Sequence, residues 1–127
     1  MGATGPAGPV GRSNGLYSST WVWTTKTADA SVSGQIGINA ATWAAATVVN
    51  VSEFNKDGGD VAYFLNRVQA NDELYLQQKT DSTRYGRYKV VSWADQGVWR
   101  AFTVTPIANA GAIPAGNADS ALAITVP

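Results

Sequence analysis

The chain has 127 residues, with nine basic and nine acidic side chains and no histidine, so its net charge is zero. A neutral chain lacks the electrostatic attraction that binds basic proteins to nucleic acid or anionic membranes, and no apolar run approaches the roughly 18 residues of a membrane-spanning helix. Because cysteine is also absent, disulfides, the commonest metal ligands and the commonest general base are all excluded. We therefore expect no cofactor, no metal, no nucleic-acid partner and no membrane insertion.

The chain opens with four uninterrupted Gly-X-Y triplets, two of which carry proline at the X position. The triplet glycines are Gly2, Gly5, Gly8 and Gly11. Three polyproline-II chains wind together only when every third residue lacks a side chain, so the period predicts a collagen-like stub over residues 1–15 and a homotrimer. A flexible glycine- and proline-rich linker is the alternative, and the strict period favours the collagen-like interpretation. Asn14 breaks the period, and residues 16–127 are predicted to form one β-rich head domain.

Three short strands are predicted at the start of the head domain. Trp21 and Trp23 are two residues apart in a stretch rich in threonine and serine, and so lie on one face of the first strand. Ile36 and Ile38 share a face of the second strand in the same way. The third strand is the β-branched stretch 47–51.

Residues 60–69 are predicted to form the one helix. Apolar side chains recur there at helical spacing, at Val61, Phe64, Leu65 and Val68. Asp60 immediately precedes this stripe and is the predicted N-cap, because aspartate accepts hydrogen bonds from the first free backbone N–H groups of a helix.

Four more strands are predicted after the helix, at residues 74–79, 85–93, 98–106 and 121–126. Turns are predicted between them at residues 81–82, 95–97 and 111–117, where aspartate, glycine and asparagine are frequent. This series is typical of a mainly β protein. We expect a small β-sandwich or barrel-like domain with one short helix, preceded by the collagen-like stub.

The order of these segments resembles the head module that follows collagen-like stalks in fibre and other structural proteins of tailed bacteriophages. The segments that carry the resemblance, after the Gly-X-Y run, are STWVWTTKT, GQIGIN, DGGDVAYFLNRV, DELYLQQKTD, YGRYKVVSW, DQGVW and NADSALAITV. The resemblance implies a trimeric, non-enzymatic virion component, with other virion proteins as partners, that registers and locks a stalk. An adhesin that binds bacterial surface glycans at the same fibre is the alternative function.

Basic and aromatic residues alternate from Arg84 to Lys89, a pattern that suits an acidic glycan or a phosphate. Arg84 and Arg87 are therefore candidate ligand-binding residues. The simpler interpretation is a half-buried strand, with Arg87 and Lys89 on one face and Tyr88 and Val90 on the other.

Five tryptophans are many for a domain of this size, and we expect most of them in the core. Trp93 and Trp99 flank the predicted turn at 95–97 and are the candidates for an exposed pair that stacks on sugar rings. The acidic residues mostly adjoin glycine, asparagine or serine in predicted turns. Turn and cap roles are therefore favoured over a catalytic carboxylate pair or a calcium site.

Overall fold

The computed structural model describes residues 16–126, which form a closed barrel of seven strands with one short helix. In chain order the elements are β1 (Leu16–Trp23), β2 (Gln35–Ile38), β3 (Val48–Ser52), α1 (Ala62–Leu65), β4 (Glu73–Gln78), β5 (Asp81–Asp95), β6 (Trp99–Ala110) and β7 (Asp119–Thr125). Around the barrel the strands follow the order β1, β2, β3, β6, β5, β4, β7. The mainly β prediction is confirmed, and the architecture is a barrel. The stub at residues 1–15, with its triplet glycines, lies outside the described residues and stays a prediction.

The two ends of the barrel differ in what they carry. Leu16, where β1 begins, lies beside Thr125 of β7, which in turn lies beside Glu73 at the start of β4. The registers place α1 and the β5–β6 hairpin at this same end, which we call the near end. The far end carries the β4–β5 turn, the β2–β3 connection at 39–47 and the β6–β7 loop at 111–118.

Strands β1 and β2 pair in parallel. β1 and β2 share two register pairs, Val22 opposite Gln35 and Trp23 opposite Ile36. A parallel pair needs a crossover connection, which residues 24–34 supply. On its other side, β1 pairs antiparallel with β7 from Leu16 to Val22, so the first and last strands are neighbours.

The predicted strand faces are confirmed, because alternate residues fill the barrel interior. The buried pairs are Trp21 with Trp23, Ile36 with Ile38, and Leu122 with Ile124. Each pair is two residues apart on one strand, which is the spacing that directs both side chains to the same face.

Trp43, in the β2–β3 connection, is buried and closes the far end of the barrel. Its ring meets that of Trp23 edge-on with centroids 5.4 Å apart, and its indole nitrogen donates to the carbonyl oxygen of Ala112 at 3.2 Å. Gly86 of β5 lies against this ring. A Cβ atom at Gly86 would stand 2.7 Å from the Trp43 ring and 2.9 Å from that of Tyr88, so only glycine fits without movement.

The helix is shorter than predicted, since α1 ends at Leu65. Val61, Leu65 and Val68 are buried as expected, whereas Phe64 is 45% exposed. The N-cap position belongs to Val61, one residue after the predicted cap Asp60. The carboxylate of Asp60 still accepts a hydrogen bond from the first backbone N–H of α1, that of Ala62, at 3.0 Å.

Tertiary contacts explain why the helix stops. The side-chain oxygen of Asn66 accepts a hydrogen bond from Arg100, and the carbonyl oxygen of Val68 accepts one from the Trp93 indole. These bonds tie Asn66 and Val68 to strands β6 and β5, which offer partners that a continued helix would not reach.

The turn predicted at residues 81–82 lies two residues earlier, at residues 79–80, because Asp81 already belongs to β5. The carboxylate of Asp81 accepts a hydrogen bond from the backbone N–H of Thr83 at 3.0 Å. Asp81 thus keeps its expected local hydrogen bonding while it begins the strand.

Candidate functional site

Trp93 and Trp99 lie on opposite faces of the β5–β6 hairpin and do not form an exposed pair. Trp93 stands opposite Phe102 in register, whereas Trp99 is three residues from Phe102 along β6, and side chains alternate between faces along a strand. Both tryptophans are half-buried. The prediction of an exposed pair is therefore wrong.

Packing at the near end explains the burial of Trp93. Its ring centroid lies 6.2 Å from that of Phe102, and its indole nitrogen donates to the carbonyl oxygen of Val68 at 2.9 Å. The segment after α1 therefore covers the Trp93 side of the hairpin, while the tip at 94–98 is exposed. Within the described part of the chain, the buried indole nitrogen of Trp99 has no hydrogen-bond partner.

Arg100 follows Trp99 in β6, and its side chain is only 4% exposed. Its Nε donates to the side-chain oxygen of Asn66 at 2.8 Å, and its Nη1 donates to the carbonyl oxygens of Gly97 and Trp99 at 3.2 and 3.3 Å. Burial of a guanidinium group is costly unless its N–H groups find acceptors, and here each of the three nitrogens has one.

Two carboxylates complete this group. Glu53 Oε1 lies 3.5 Å from Nη2 of Arg100, and Asp95 Oδ1 lies 3.3 Å from Nη1. We refer to Arg100, Asn66, Glu53 and Asp95 as the Arg100 cluster. It joins the segment after β3, α1 and both strands of the hairpin, so it stabilises the near end of the barrel.

Sequence reasoning missed Arg100, although a signal was present. Arg100, Phe102 and Val104 are alternate residues of β6, and all three are buried. The alternation of buried residues along β6 would therefore have placed the Arg100 side chain on the core-facing side of the strand.

Arg84 and Arg87 each pair with a different carboxylate. Arg84 Nε lies 3.3 Å from Asp81 Oδ2, and hydrogen bonds from Thr83, assisted by the Arg84 charge, hold the pKa of Asp81 below its usual value. Arg87 Nη2 donates to both carboxylate oxygens of Glu73, at 3.0 and 3.2 Å. Both guanidinium groups are thus neutralised locally.

The alternation predicted around Arg87 is confirmed. Tyr88 and Val90 are buried, while Arg87 is half-buried and Lys89 is exposed. Arg87 consequently lies on the outer surface of the barrel.

Arg87 belongs to an outer surface formed by two cross-strand rows, which we call the tyrosine face. The first row comprises Ser18, Ala123, Tyr75, Arg87 and Ala108, and the second comprises Thr20, Ala121, Gln77, Tyr85 and Ala110. The rings of Tyr75 and Tyr85 stack with centroids 5.6 Å apart, and the Tyr75 hydroxyl donates to Gln77 Oε1 at 2.7 Å. Apart from the exposed Ser18, all these residues are half-buried.

The tyrosine face has a distinct relief. Its large side chains, Tyr75, Tyr85 and Arg87, stand on β4 and β5 and form a ridge. Small side chains flank the ridge on both sides, with Ala108 and Ala110 on β6. The small side chains on β7 and β1, which we call the trough, are Ala121, Ala123, Ser18 and Thr20.

Several aspartates have the turn roles expected from the sequence. The carboxylates of Asp60, Asp81 and Asp95 each accept a hydrogen bond from the backbone N–H two residues later. Over residues 16–126, no three acidic side chains gather closely enough to hold a metal ion, and no helix has the length and apolar character to cross a membrane.

No protein-family model matches this chain, and neither a curated protein nor a solved structure is similar enough to count as a match. The barrel geometry and the residues of the chain therefore carry the functional argument.

Proposed function

We propose that this protein is the non-enzymatic head of a trimeric bacteriophage fibre or spike, and that it registers and locks three collagen-like stalk chains on the virion. The observation that carries the proposal is the direct succession of four Gly-X-Y triplets and a closed barrel whose first strand begins at Leu16. At a rise of about 3.1 Å per residue, twelve residues of polyproline-II helix span only about 37 Å. Twelve such residues bury little apolar surface, so the head would supply contacts of its own between three copies of these 127 residues.

The composition and the barrel support a multimeric head. Charged residues make up 14% of the chain, below the usual fraction of about 25%, as expected where part of the surface is covered in an assembly. The strands of residues 16–126 close into a barrel in which each strand has a neighbour on both sides, and this disfavours uncontrolled pairing between sheet edges. Copies of the chain would therefore associate through faces of the barrel.

Light scattering in solution tests this proposal. We expect the full chain to have the mass of a trimer, and residues 16–127 alone to remain trimeric, because the head supplies the contacts. A monomeric full chain would refute the proposal. If the full chain is trimeric but residues 16–127 alone are monomeric, the stalk supplies the contacts that hold the trimer together.

A second candidate function is host attachment through a surface glycan, and Tyr63 is the observation that favours it. Its side chain is 68% exposed, and the guanidinium carbon of Arg67 lies 5.4 Å from its ring centroid. An exposed aromatic ring suits stacking on a sugar ring. Three copies of a weak site would raise avidity by roughly 10²–10⁴ when the geometry allows simultaneous contact.

Adsorption of the full chain to host cells and to their isolated surface polysaccharide tests this second function. Tyr63→Ala should reduce adsorption, while Val91→Ala, at another exposed apolar position, should leave it unchanged. Release of reducing sugar should stay at background for a non-enzymatic protein. Sugar release that disappears when one carboxylate is substituted would show that the protein is a hydrolase.

A further inference from the structure

We propose that the tyrosine face is the surface through which the three barrels contact one another, with the ridge of each copy packed into the trough of the next. This inference rests on the proposed trimer and assigns its interface to particular residues. The partner of the tyrosine face is a second copy of this chain.

The position of Leu16 supports this assignment. Three chains that leave a triple helix emerge side by side, so the first barrel residue of each copy lies close to the common axis. In the barrel, Leu16 adjoins the end of β7 at Thr125, and β7 adjoins the start of β4 at Glu73. The outer surface of β1, β7 and β4 is therefore the part of each barrel nearest the axis, and the tyrosine face extends along it.

The ridge and the trough of the tyrosine face also suit the contacts of a cyclic trimer. In a cyclic trimer every contact joins two different patches, one from each copy, and the ring closes when the rotation between copies is 120°. A ridge on β4 and β5 beside a trough on β7 and β1 supplies two such patches on one surface.

The side chains suit burial between proteins. Alanine loses no rotamer freedom when it is ordered, and tyrosine buries a large area with few rotatable bonds. Arg87 enters the contact already paired with Glu73, so no unpaired charge would be buried. The two tyrosine rings stack on each other, and the Tyr75 hydroxyl is bonded to Gln77, which favours packing by a protein surface over stacking by a sugar.

Engineered cysteines test this interface directly, because the natural chain has no cysteine. The proposed test pair is Tyr85→Cys with Ala121→Cys in the full chain. Both positions flank Gln77 in register, so they are two strands apart, about 10 Å, whereas a disulfide needs Cα atoms within about 7 Å. A disulfide within one chain is thereby excluded, and oxidation should yield covalent trimers on a non-reducing gel.

A matched control pair uses the same trough position with a residue across the barrel. Thr103→Cys is suitable, since Thr103 is exposed on β6 opposite Val48 of β3. Thr103→Cys with Ala121→Cys should give no covalent trimer. Equal yields from both pairs would overturn the interface.

A charge substitution gives a second, independent readout. Ala123→Arg places a charged, bulky side chain in the trough and should convert the trimer to a monomer with an unchanged circular dichroism spectrum. Thr103→Arg should leave the trimer intact. If Ala123→Arg does not fold, the cysteine pair alone decides.

The outcomes separate this inference from the proposed function. If the unmodified chain is trimeric but the test pair forms no covalent trimer, the interface is wrong and the proposed function stands. If the unmodified chain is monomeric, the proposed function itself fails. An Ala123→Arg protein that stays trimeric but loses adsorption to polysaccharide would make the tyrosine face a glycan site and overturn the interface.

Discussion

The Tyr88 hydroxyl donates a hydrogen bond of 2.7 Å to the carbonyl oxygen of Trp43, which ties β5 to the connection that closes the far end of the barrel. Both side chains are buried, and burial raises the pKa of the Tyr88 hydroxyl. The neutral phenol is therefore part of the folded structure.

Removal of this hydroxyl should destabilise the barrel. Tyr88→Phe leaves the buried Trp43 carbonyl without this donor, and we expect a loss of about 1–2 kcal/mol in the free energy of unfolding. Urea unfolding at neutral pH measures it. An unchanged midpoint would show that the carbonyl readily finds another donor.

The same residue predicts a pH dependence. Because the pKa of Tyr88 is higher in the folded than in the unfolded chain, its contribution is complete below the ordinary tyrosine value of about 10 and is lost as the pH rises above it. Stability should therefore fall at alkaline pH, and it should fall less steeply in Tyr88→Phe. Urea unfolding on both sides of this value tests the difference, and parallel losses in the two proteins would contradict it.

Gly86 should tolerate no side chain. Gly86→Ala pushes a methyl group against the rings of Trp43 and Tyr88, and overpacking of this kind costs about 1–3 kcal/mol. Gly116→Ala is the matched control, because a Cβ there makes only an ordinary contact with Thr25 at 3.6 Å. Thermal unfolding of both proteins gives the comparison, and equal effects would contradict the prediction.

Arg100 should matter more for stability than the other arginines. Arg100→Met leaves Glu53 and Asn66 without this partner, and we expect a loss of about 3 kcal/mol, since Asp95 is solvent-exposed and contributes little. Arg87→Met, at a partly exposed ion pair, should cost at most about 1 kcal/mol. These values should be measured in trimer-disrupted protein such as Ala123→Arg, so that interface effects do not enter. Equal losses would show that the Arg100 cluster contributes no more than a surface pair.

Leu65 anchors α1 to the core. Leu65→Ala removes a fully buried side chain and should cost about 2–5 kcal/mol. The neighbouring substitution Phe64→Ala should cost less, because Phe64 is 45% exposed. Chemical denaturation ranks the two, and the reverse order would mean that the outer side of α1 is the one that packs.

Strand faces were predictable from the sequence because burial alternates with a period of two. Trp21 with Trp23 and Leu122 with Ile124 show this directly. The helix was overpredicted, because residues beyond Leu65 bond to strands that are remote in sequence. Gly86 illustrates the same limit, since its need for glycine comes from a tryptophan 43 residues earlier, and no local pattern contains that contact.

The candidate site was less predictable than the fold. Alternation around Arg87 correctly assigned the faces of β5, but the tyrosine face required knowledge that β7 lies between β1 and β4. Trp99 was expected at an exposed tip because hairpin ends usually reach solvent. The tip at 94–98 does reach solvent, but the indole nitrogen of Trp99 is buried and Trp93 packs against the segment after α1, which is distant in sequence.

Because β1 and β7 are neighbours in the barrel, the barrel cannot close during synthesis until the last strand has been made. The ribosome delivers β7 after the six other strands, so β1 waits for its antiparallel partner and the barrel closes late. In the proposed fibre, three stalks would then remain separate until three heads are complete. Winding of the triple helix would then proceed from the head toward the N-terminus, with the chain register fixed before the first triplet is wound.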